Sequence, residues 1–185
     1  MSAATAGTAT VTTWKIDPAH SVAEFKVKHM MIANVKGKFT GISGTLNLDE
    51  ADPARSKVEA SVPLGTVFTG DAQRDAHLKS ADFFDVEKHS EMTFRSTGIE
   101  VKSPGQMTVS GDLTIHGVTK PVVFAVEGPT PPAKDPWGNT RVGLEATTRI
   151  NRKDFGLGWN AALETGGVLV GEEVAITLDV EFVKA

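Results

Sequence analysis

The stretch Thr69-Gly-Asp-Ala-Gln-Arg-Asp-Ala-His-Leu-Lys-Ser-Ala-Asp-Phe-Phe-Asp85 decides how the chain is read, because it interrupts a sequence that otherwise alternates apolar and polar residues. Asp71 is a residue type that caps helices, since its side chain can accept a hydrogen bond from the first helical turn. The stretch therefore predicts a short helix near residues 72–79. The aromatic pair Phe83-Phe84 follows, and a charged helix with two rings behind it indicates a cap over an all-β chain.

Strand-like alternation fills most of the remaining chain, with Gly and Pro at the turns. The alternating segments are residues 14–17, 21–30, 35–39, 43–49, 57–64, 91–100, 106–116, 118–127, 141–152 and 173–183. A sheet of this size removes its edges by closing on itself. The sequence therefore predicts one antiparallel β-barrel of about eight strands, with a two-sheet sandwich as the alternative.

Three further expectations concern the organisation of the chain. Residues 1–12 are predicted to be a flexible arm, and residues 13–185 a single barrel domain. A second helical turn is expected near residues 160–165, ended by the glycine pair 166–167. The dipeptide His116-Gly117 predicts a hairpin turn between two of the strands.

Composition excludes several classes of function. The 185 residues carry a net charge of −4, which argues against nucleic acid as the main partner. The chain has no cysteine, so disulfides and thiolate metal sites are excluded. The first residues lack the charged and apolar regions of a secretory signal, so we expect a cytoplasmic protein. A periplasmic or secreted protein already trimmed of its signal would look the same.

The sequence lacks the common motifs of catalytic and metal-binding sites. The sequence contains no Gly-x-Ser-x-Gly elbow, dinucleotide fingerprint or P-loop. The five histidines form no pair at i,i+2 or i,i+4 beside a carboxylate, so we expect no metal site and no cofactor. His116 is expected to serve its hairpin turn. These observations predict a protein that is not an enzyme.

Apolar and aromatic side chains on one face of the strands and cap form the stronger signal. The apolar set comprises Phe25, Val27, Phe39, Phe68, Phe84, Met92, Phe94, Phe124, Leu144, Phe155 and Trp159. His29 is added to it because it shares a strand face with Phe25 and Val27. Taken alone, the pattern favours an ordinary packed barrel core. His29 is equally consistent with a core histidine bonded to a carbonyl group.

Several long motifs resemble the YceI-like family, the polyisoprenoid-binding proteins of extended lipocalin-like fold. Besides the opening stretch, they are Trp-Lys-Ile-Asp-Pro-Ala-His-Ser at 14–21, Phe-Lys-Val-Lys-His-Met at 25–30, Gly-Lys-Phe at 37–39, Gly-Asp-Leu-Thr-Ile-His-Gly-Val-Thr-Lys-Pro-Val at 111–122 and Arg-Lys-Asp-Phe-Gly-Leu at 152–157. The chain departs from the family near the cap, in the Pro- and Gly-containing stretch 61–68 and at His89-Ser90. The resemblance implies a barrel, often homodimeric, whose hollow bore holds an isoprenoid or fatty-acyl chain.

With that resemblance, the apolar set above becomes the predicted bore. The expected function is non-catalytic binding, storage or transport of a long apolar lipid, a polyisoprenoid such as an isoprenoid quinone or its precursor. The alternatives are a fatty acid or fatty amide carrier of the same fold, a barrel enzyme acting on a lipid, and a structural or stress-response protein with a filled core. Arg74 and His77 would meet an anionic head group, or Arg74 and Asp75 would tie the cap helix to neighbouring strands.

Four lysines give one further expectation about partners. Lys26, Lys28, Lys36 and Lys38 share the outer face of one predicted hairpin if its apolar residues face inward. Such a patch would attract an anionic membrane surface. A solvated strand face that prevents aggregation explains the same pattern.

Overall fold

One antiparallel sheet contains every strand in the computed structural model, which describes residues 10–185. The strands are β1 (Val11–Ile16), β2 (Val22–His29), β3 (Ala33–Phe39), β4 (Ser43–Asp49), β5 (Lys57–Pro63), β6 (Glu91–Ser103), β7 (Gln106–Ile115), β8 (Val118–Glu127), β9 (Ala133–Lys134), β10 (Thr140–Asn151) and β11 (Val170–Lys184). The helix α1 spans Ala72–Lys79. Among residues 10–185, none of the helices combines the length and apolar character needed to span a bilayer.

Eight of these strands close into a barrel. The ring runs β1-β4-β5-β6-β7-β8-β10-β11 and returns to β1, because β11 pairs with β10 on one side and with β1 on the other. The predicted antiparallel barrel of about eight strands is therefore confirmed. The predicted hairpin is also present, since His116 and Gly117 both have positive φ, 55° and 73°, between β7 and β8.

The hairpin β2–β3 extends the sheet beyond the ring. The long strand β11 accommodates it by pairing with β2 over residues 170–179 and with β1 over residues 182–184. The outer strand β3 then forms one bridge, between Lys38 and Phe68, with the chain that leaves β5. The hairpin and this chain together form the wall at one end of the barrel.

The cap segment, which we define as residues 64–90, crosses that end of the barrel. It leaves β5 through the 3-10 turn Leu64–Thr66, contains α1 and returns to β6. The predicted helix at 72–79 is confirmed, and the Asp71 side chain accepts a hydrogen bond of 3.0 Å from Arg74 N. This bond from the helix N-terminus lowers the pKa of Asp71.

Two expectations about local structure are wrong. Residues 160–165 form no helical turn, because the chain folds back here: Ala162 pairs with Val168 in an antiparallel bridge, and the Asn160 side chain bonds both backbone groups of Val170, at 2.7 and 3.0 Å. A 3-10 turn lies earlier, at Arg152–Phe155. The predicted boundary of the flexible arm, at residue 12, is also wrong, because Val11 and Thr12 already pair with β4. The rest of the predicted arm, residues 1–9, lies outside the described residues.

Candidate functional site

An apolar cavity of about 380 Å³ lies inside the barrel. Strand β11 shows how it is built, because Val170 and then every second residue from Val174 to Phe182 line it, with a bulge between Val170 and Val174. A strand rises about 3.4 Å per residue and barrel strands tilt about 40° to the axis, so this span corresponds to roughly 30 Å of bore. The barrel therefore has an elongated, open interior.

The structure places ten of the twelve predicted bore residues on the cavity wall. They are Phe25, Val27, His29, Phe39, Phe84, Met92, Phe94, Phe124, Leu144 and Trp159. These residues come from both ends of the chain and from the cap segment, so the fold brings them together as predicted. Whether they bind a ligand remains a prediction.

The other two predicted bore residues, Phe68 and Phe155, do not reach the cavity. Phe68 is 56% exposed, since its neighbour Val67 takes the inward position and the alternation turns the next side chain outward. Its ring lies 5.7 Å from Lys38 Nζ. Phe155 is buried in the 3-10 turn and packs in a cluster with Leu113 and Ile115, but it does not itself line the cavity.

Sequence reasoning missed much of the aliphatic wall. Missed lining residues of the strands include Ile16, Leu46, Val58, Ala60, Val62, Val109, Leu113, Val126, Ala146, Ile176, Leu178 and Val180. Most of them follow the period-two alternation of a barrel strand, so this signal was available. The prediction favoured large aromatic residues, whereas smaller aliphatic ones line much of the bore.

Three phenylalanines connect the hairpin β2–β3 to the cap segment. The Phe25 and Phe39 ring centroids are 5.6 Å apart, and Phe39 contacts Phe84 edge-on at the same distance. Gly37 makes this possible, because a Cβ there would lie 2.3 Å from Phe25 Cζ. A side chain at position 37 would therefore displace the ring from the cavity wall.

Aromatic rings also line the end of the bore beneath the cap segment. Trp159 lies edge-on to His77, with ring centroids 4.6 Å apart, and 5.4 Å from Phe83. His77 Nε2 is 2.8 Å from a carboxylate oxygen of Asp82 within the same segment. The cap segment thus contacts the loop before β11 through rings that also face the cavity.

The predicted head-group residues Arg74 and His77 both line the cavity. However, Arg74 Nε donates to Thr69 Oγ1 at 2.8 Å, and its Nη2 donates to Thr69 O at 2.9 Å. Asp75 completes the cluster by accepting hydrogen bonds from Thr69 N and Oγ1. These contacts engage both Arg74 and Asp75, as the alternative expected, but they join the helix to Thr69 just before it and not to a neighbouring strand.

Arg152, a buried cation at the same end of the bore, was not predicted as a site residue from the sequence. Arg152 is 4% exposed, and its guanidinium donates to four carbonyl groups, those of Leu157, Trp159, Val170 and Gly171. Desolvation by burial lowers its pKa, although nearby Glu172 opposes the effect. Among the described residues, no carboxylate forms an ion pair with Arg152. It fixes the loop that carries Trp159.

The four predicted surface lysines lie together on the outer face of the hairpin. All four are exposed, and Lys26 pairs directly across the strands with Lys36. The tip of the hairpin is apolar, since Met30, Met31 and Ile32 are 41%, 57% and 80% exposed. A basic strand face therefore ends in an exposed apolar tip.

Comparisons with known proteins agree with this architecture. A profile of the YceI-like domain matches residues 14–182. A UPF0312 protein of Vibrio cholerae is 42% identical over 139 residues, which cover 75% of this chain and 73% of the relative. The crystal structure of a Campylobacter jejuni YceI protein superposes with a TM-score of 0.71 at 30% identity, over 85% of this chain and 90% of that one.

A more distant solved structure shares the fold alone. It is a polyisoprenoid binding domain from Saccharophagus degradans implicated in plant cell wall breakdown, with a TM-score of 0.66 and 15% identity, covering 95% of this chain and 100% of that chain. The matched domain, the curated relative and the crystal structure together cover the barrel, the hairpin and the cap segment. The chain belongs to the YceI-like domain family.

Proposed function

We propose that the protein binds a long apolar lipid, a polyisoprenoid, in the bore of the barrel and carries out no chemistry on it. The observation that carries this proposal is the apolar cavity, which extends roughly 30 Å along the axis by the strand geometry above. The hydrocarbon core of a bilayer has a similar thickness, about 30 Å, and is filled by two acyl chains end to end. The bore therefore suits a chain longer than one fatty acid.

The character of the wall supports binding without catalysis. Glu24 is the only carboxylate among the described residues that line the cavity, and it is exposed. The two histidines of the wall, His29 and His77, form no hydrogen bond with this carboxylate among the described residues, and the partner of His77 is Asp82, which does not line the cavity. A pair of positioned acid and base groups, as hydrolysis of a lipid would require, is therefore not supported by the wall. The name of the Saccharophagus degradans neighbour, a polyisoprenoid binding domain, agrees in ligand class.

Chain length should dominate affinity in a site of this kind. Large ligands gain about 0.3 kcal/mol per heavy atom, so roughly forty carbons would contribute on the order of 12 kcal/mol, close to nanomolar affinity. A sixteen-carbon acyl chain would contribute only about 5 kcal/mol on the same scale. A long chain therefore needs no strong head-group contact.

Native mass spectrometry of the purified protein tests the proposal. We expect a co-purified mass that matches a long isoprenoid. Ala146→Phe should reduce this lipid-bound fraction, because Ala146 lines the bore and a ring there would obstruct it. Ala125→Phe is the matched control, since Ala125 is exposed on the neighbouring strand β8.

Each outcome has a distinct meaning. A fatty acid or fatty amide mass would identify the alternative carrier function, which shares the fold. Bare protein that also takes up no polyprenol or fatty acid when mixed with them would overturn lipid binding and favour a filled core. Turnover of the bound lipid, lost when Glu24→Gln is made, would instead show a lipid-acting enzyme.

We also propose that the protein exchanges lipid with an anionic membrane through the hairpin β2–β3. The exposed apolar tip can enter the interface while the lysine face contacts acidic head groups. His29, next to the tip, lines the same cavity. A membrane bound to the tip would therefore lie at the end of the bore.

Vesicle co-sedimentation tests this contact. Each lysine near an anionic surface adds about 1 kcal/mol, so the double variant Lys26→Ala/Lys36→Ala should bind phosphatidylglycerol vesicles roughly 30-fold more weakly. Lys57→Ala/Lys134→Ala removes the same charge from exposed positions elsewhere and should change binding little. Binding that is indifferent to anionic lipid and equal in both double variants would exclude the contact.

The homodimer implied by the family resemblance stays a prediction. We propose a dimer in solution, and analytical ultracentrifugation of the lipid-bound protein measures it directly. A mass equal to one chain, 19.6 kDa plus lipid, at micromolar concentration would contradict it.

A further inference from the structure

Two histidines and an aspartate meet where the cap segment returns to the barrel. The ligand-type atoms of Asp85, His89 and His116 all lie within 4.8 Å of one another, and all three residues are half-buried. The two imidazole rings lie edge-on to each other, with centroids 4.9 Å apart and planes inclined by 62°. Two nitrogen donors and one carboxylate within this distance form a set that divalent transition metals bind.

These residues come from two parts of the fold. Asp85 and His89 are four residues apart at the end of the cap segment, and His89 N donates to Asp85 O at 2.9 Å. His116 lies at the β7–β8 turn. The sequence expectation of no metal site considered pairs of histidines, so it overlooked a carboxylate four residues before one histidine and a third donor from a distant turn.

Two glycines leave space for the imidazole rings, and the rings lack hydrogen-bond partners. A Cβ at Gly117 would lie 2.9 Å from His89 Cε1, and one at Gly156 would lie 3.1 Å from His116 Nδ1. Within residues 10–185, neither imidazole forms a hydrogen bond. Half-buried imidazoles usually have such a partner, so both ring systems here are available to a ligand.

One competing cation is close to the cluster. Lys88 Nζ lies 3.8 Å from Asp85 Oδ2, but the lysine side chain is 76% exposed and can move away. The other group of similar composition, Asp17, His20 and Glu181, differs in this respect. The guanidinium of Arg141 lies 2.6 Å from Asp17 and 2.7 Å from Glu181, so a fixed cation already occupies those carboxylates.

We propose that Asp85, His89 and His116 bind a divalent transition cation of the Zn²⁺ class, which ties the end of the cap segment to the β7–β8 turn. Imidazole and carboxylate ligands suit this class of ion, and a fourth position would remain for water. The ion would join chain segments about thirty residues apart across the end of the barrel. The proposal does not depend on the identity of the lipid.

Titration calorimetry with ZnCl₂ on protein stripped by chelator tests the site. We expect one Zn²⁺ per chain. Loss of an outer partner of a metal ligand already weakens binding about 10–100-fold, so loss of a ligand should weaken it at least tenfold. His89→Gln and Asp85→Asn each remove one ligand of the proposed set.

His116→Asn is the sharpest variant, because it removes the imidazole and leaves the favourable turn sequence Asn-Gly. This protein should fold normally and bind Zn²⁺ at least about tenfold more weakly. His20→Ala is the control and should bind like the wild type. The absence of binding in the wild type, or a loss confined to His20→Ala, would overturn the site.

Hydrogen exchange measures whether the ion holds the cap segment. With free Zn²⁺ at about 100 times its Kd, openings that break the site should become roughly 100-fold rarer. Amides of residues 80–90 should then exchange more slowly, and those of the hairpin β2–β3 should not change. Unchanged exchange at 80–90 with Zn²⁺ bound would overturn the tie.

Discussion

Arg141 and Asp17, which are 124 residues apart in the chain, form an ion pair in which Nη1 lies 2.6 Å from Oδ2. The same guanidinium donates to Glu181 at 2.7 Å and, through Nε, to Asp135 at 2.7 Å. Three carboxylates from three parts of the chain therefore share one cation. This cluster fastens the loop 128–139 and the end of β1 to the barrel wall.

The cluster predicts how stability depends on pH. The hydrogen bond from Arg141, followed by that from His20, lowers the pKa of Asp17 to about 2, and Arg141 also holds the pKa of Asp135 well below its usual range. A carboxyl group with a lowered pKa stabilises the fold above its unfolded pKa of about 4, and this contribution is lost as pH falls towards the folded value. We expect the wild-type unfolding midpoint to drop between about pH 4 and pH 2.

Arg141→Met should remove most of this dependence. The variant should unfold at lower denaturant than the wild type at pH 7, and the two proteins should converge near pH 2. Arg149→Met is the control: its ion pair with Glu173 has both side chains about two-thirds exposed, 67% and 64%, so its loss should change stability little. Equal effects of the two substitutions at pH 7 would contradict the cluster's role.

Trp159 should report directly on ligand in the bore. It lines the cavity, whereas Trp137 is 81% exposed and Trp14 is buried in the packed core. A brominated fatty acid or polyprenol should therefore quench fluorescence from Trp159. Trp159→Phe should abolish most of the lipid-dependent quenching, and Trp137→Phe should retain it. Quenching that disappears only with Trp137→Phe would place the lipid outside the barrel.

The alternation of apolar and polar residues was sufficient to predict most of the fold. Alternation in β2, with Phe25 and Val27 inward and Lys26 and Lys28 outward, is sufficient to orient a strand whose one face is apolar. The cap helix was equally readable, because Asp71 precedes a run without β-branched residues. The shape of loop 160–165 could not be predicted in this way, since it depends on hydrogen bonds between Asn160 and Val170, ten residues away.

The site could be predicted only in outline. Alternation shows which residues face inward, but it cannot show whether facing side chains meet across the axis or leave a bore. Phe155 illustrates the limit, because it was predicted to line the bore but packs in a separate cluster with Leu113 and Ile115. The group of Asp85, His89 and His116 depends on a long-range contact that spacing along the chain does not reveal.

Thr69 should control the rigidity of the cap segment. Its hydroxyl group accepts from Arg74 Nε and donates to Asp75 at 2.5 Å, so Thr69→Val leaves two polar groups with fewer partners. We expect a loss of stability of about 1 kcal/mol and faster hydrogen exchange in α1. Thr147→Val, at an exposed position of β10, should stay within about 0.5 kcal/mol of the wild type. Unchanged exchange in α1 would show that these bonds do not hold the helix.

Two leucines should distinguish a hollow bore from a packed one by stability alone. Leu64 has no exposed surface and packs in the core cluster with Trp14, whereas Leu144 lines the cavity. Removing a leucine from a packed site costs its transfer free energy plus the cost of a new cavity. We expect Leu64→Ala to lose about 4 kcal/mol and Leu144→Ala about 2 kcal/mol in lipid-free protein, because the space beside Leu144 is already empty. Equal losses in urea unfolding would mean that side chains fill the axis, and the bore would not exist.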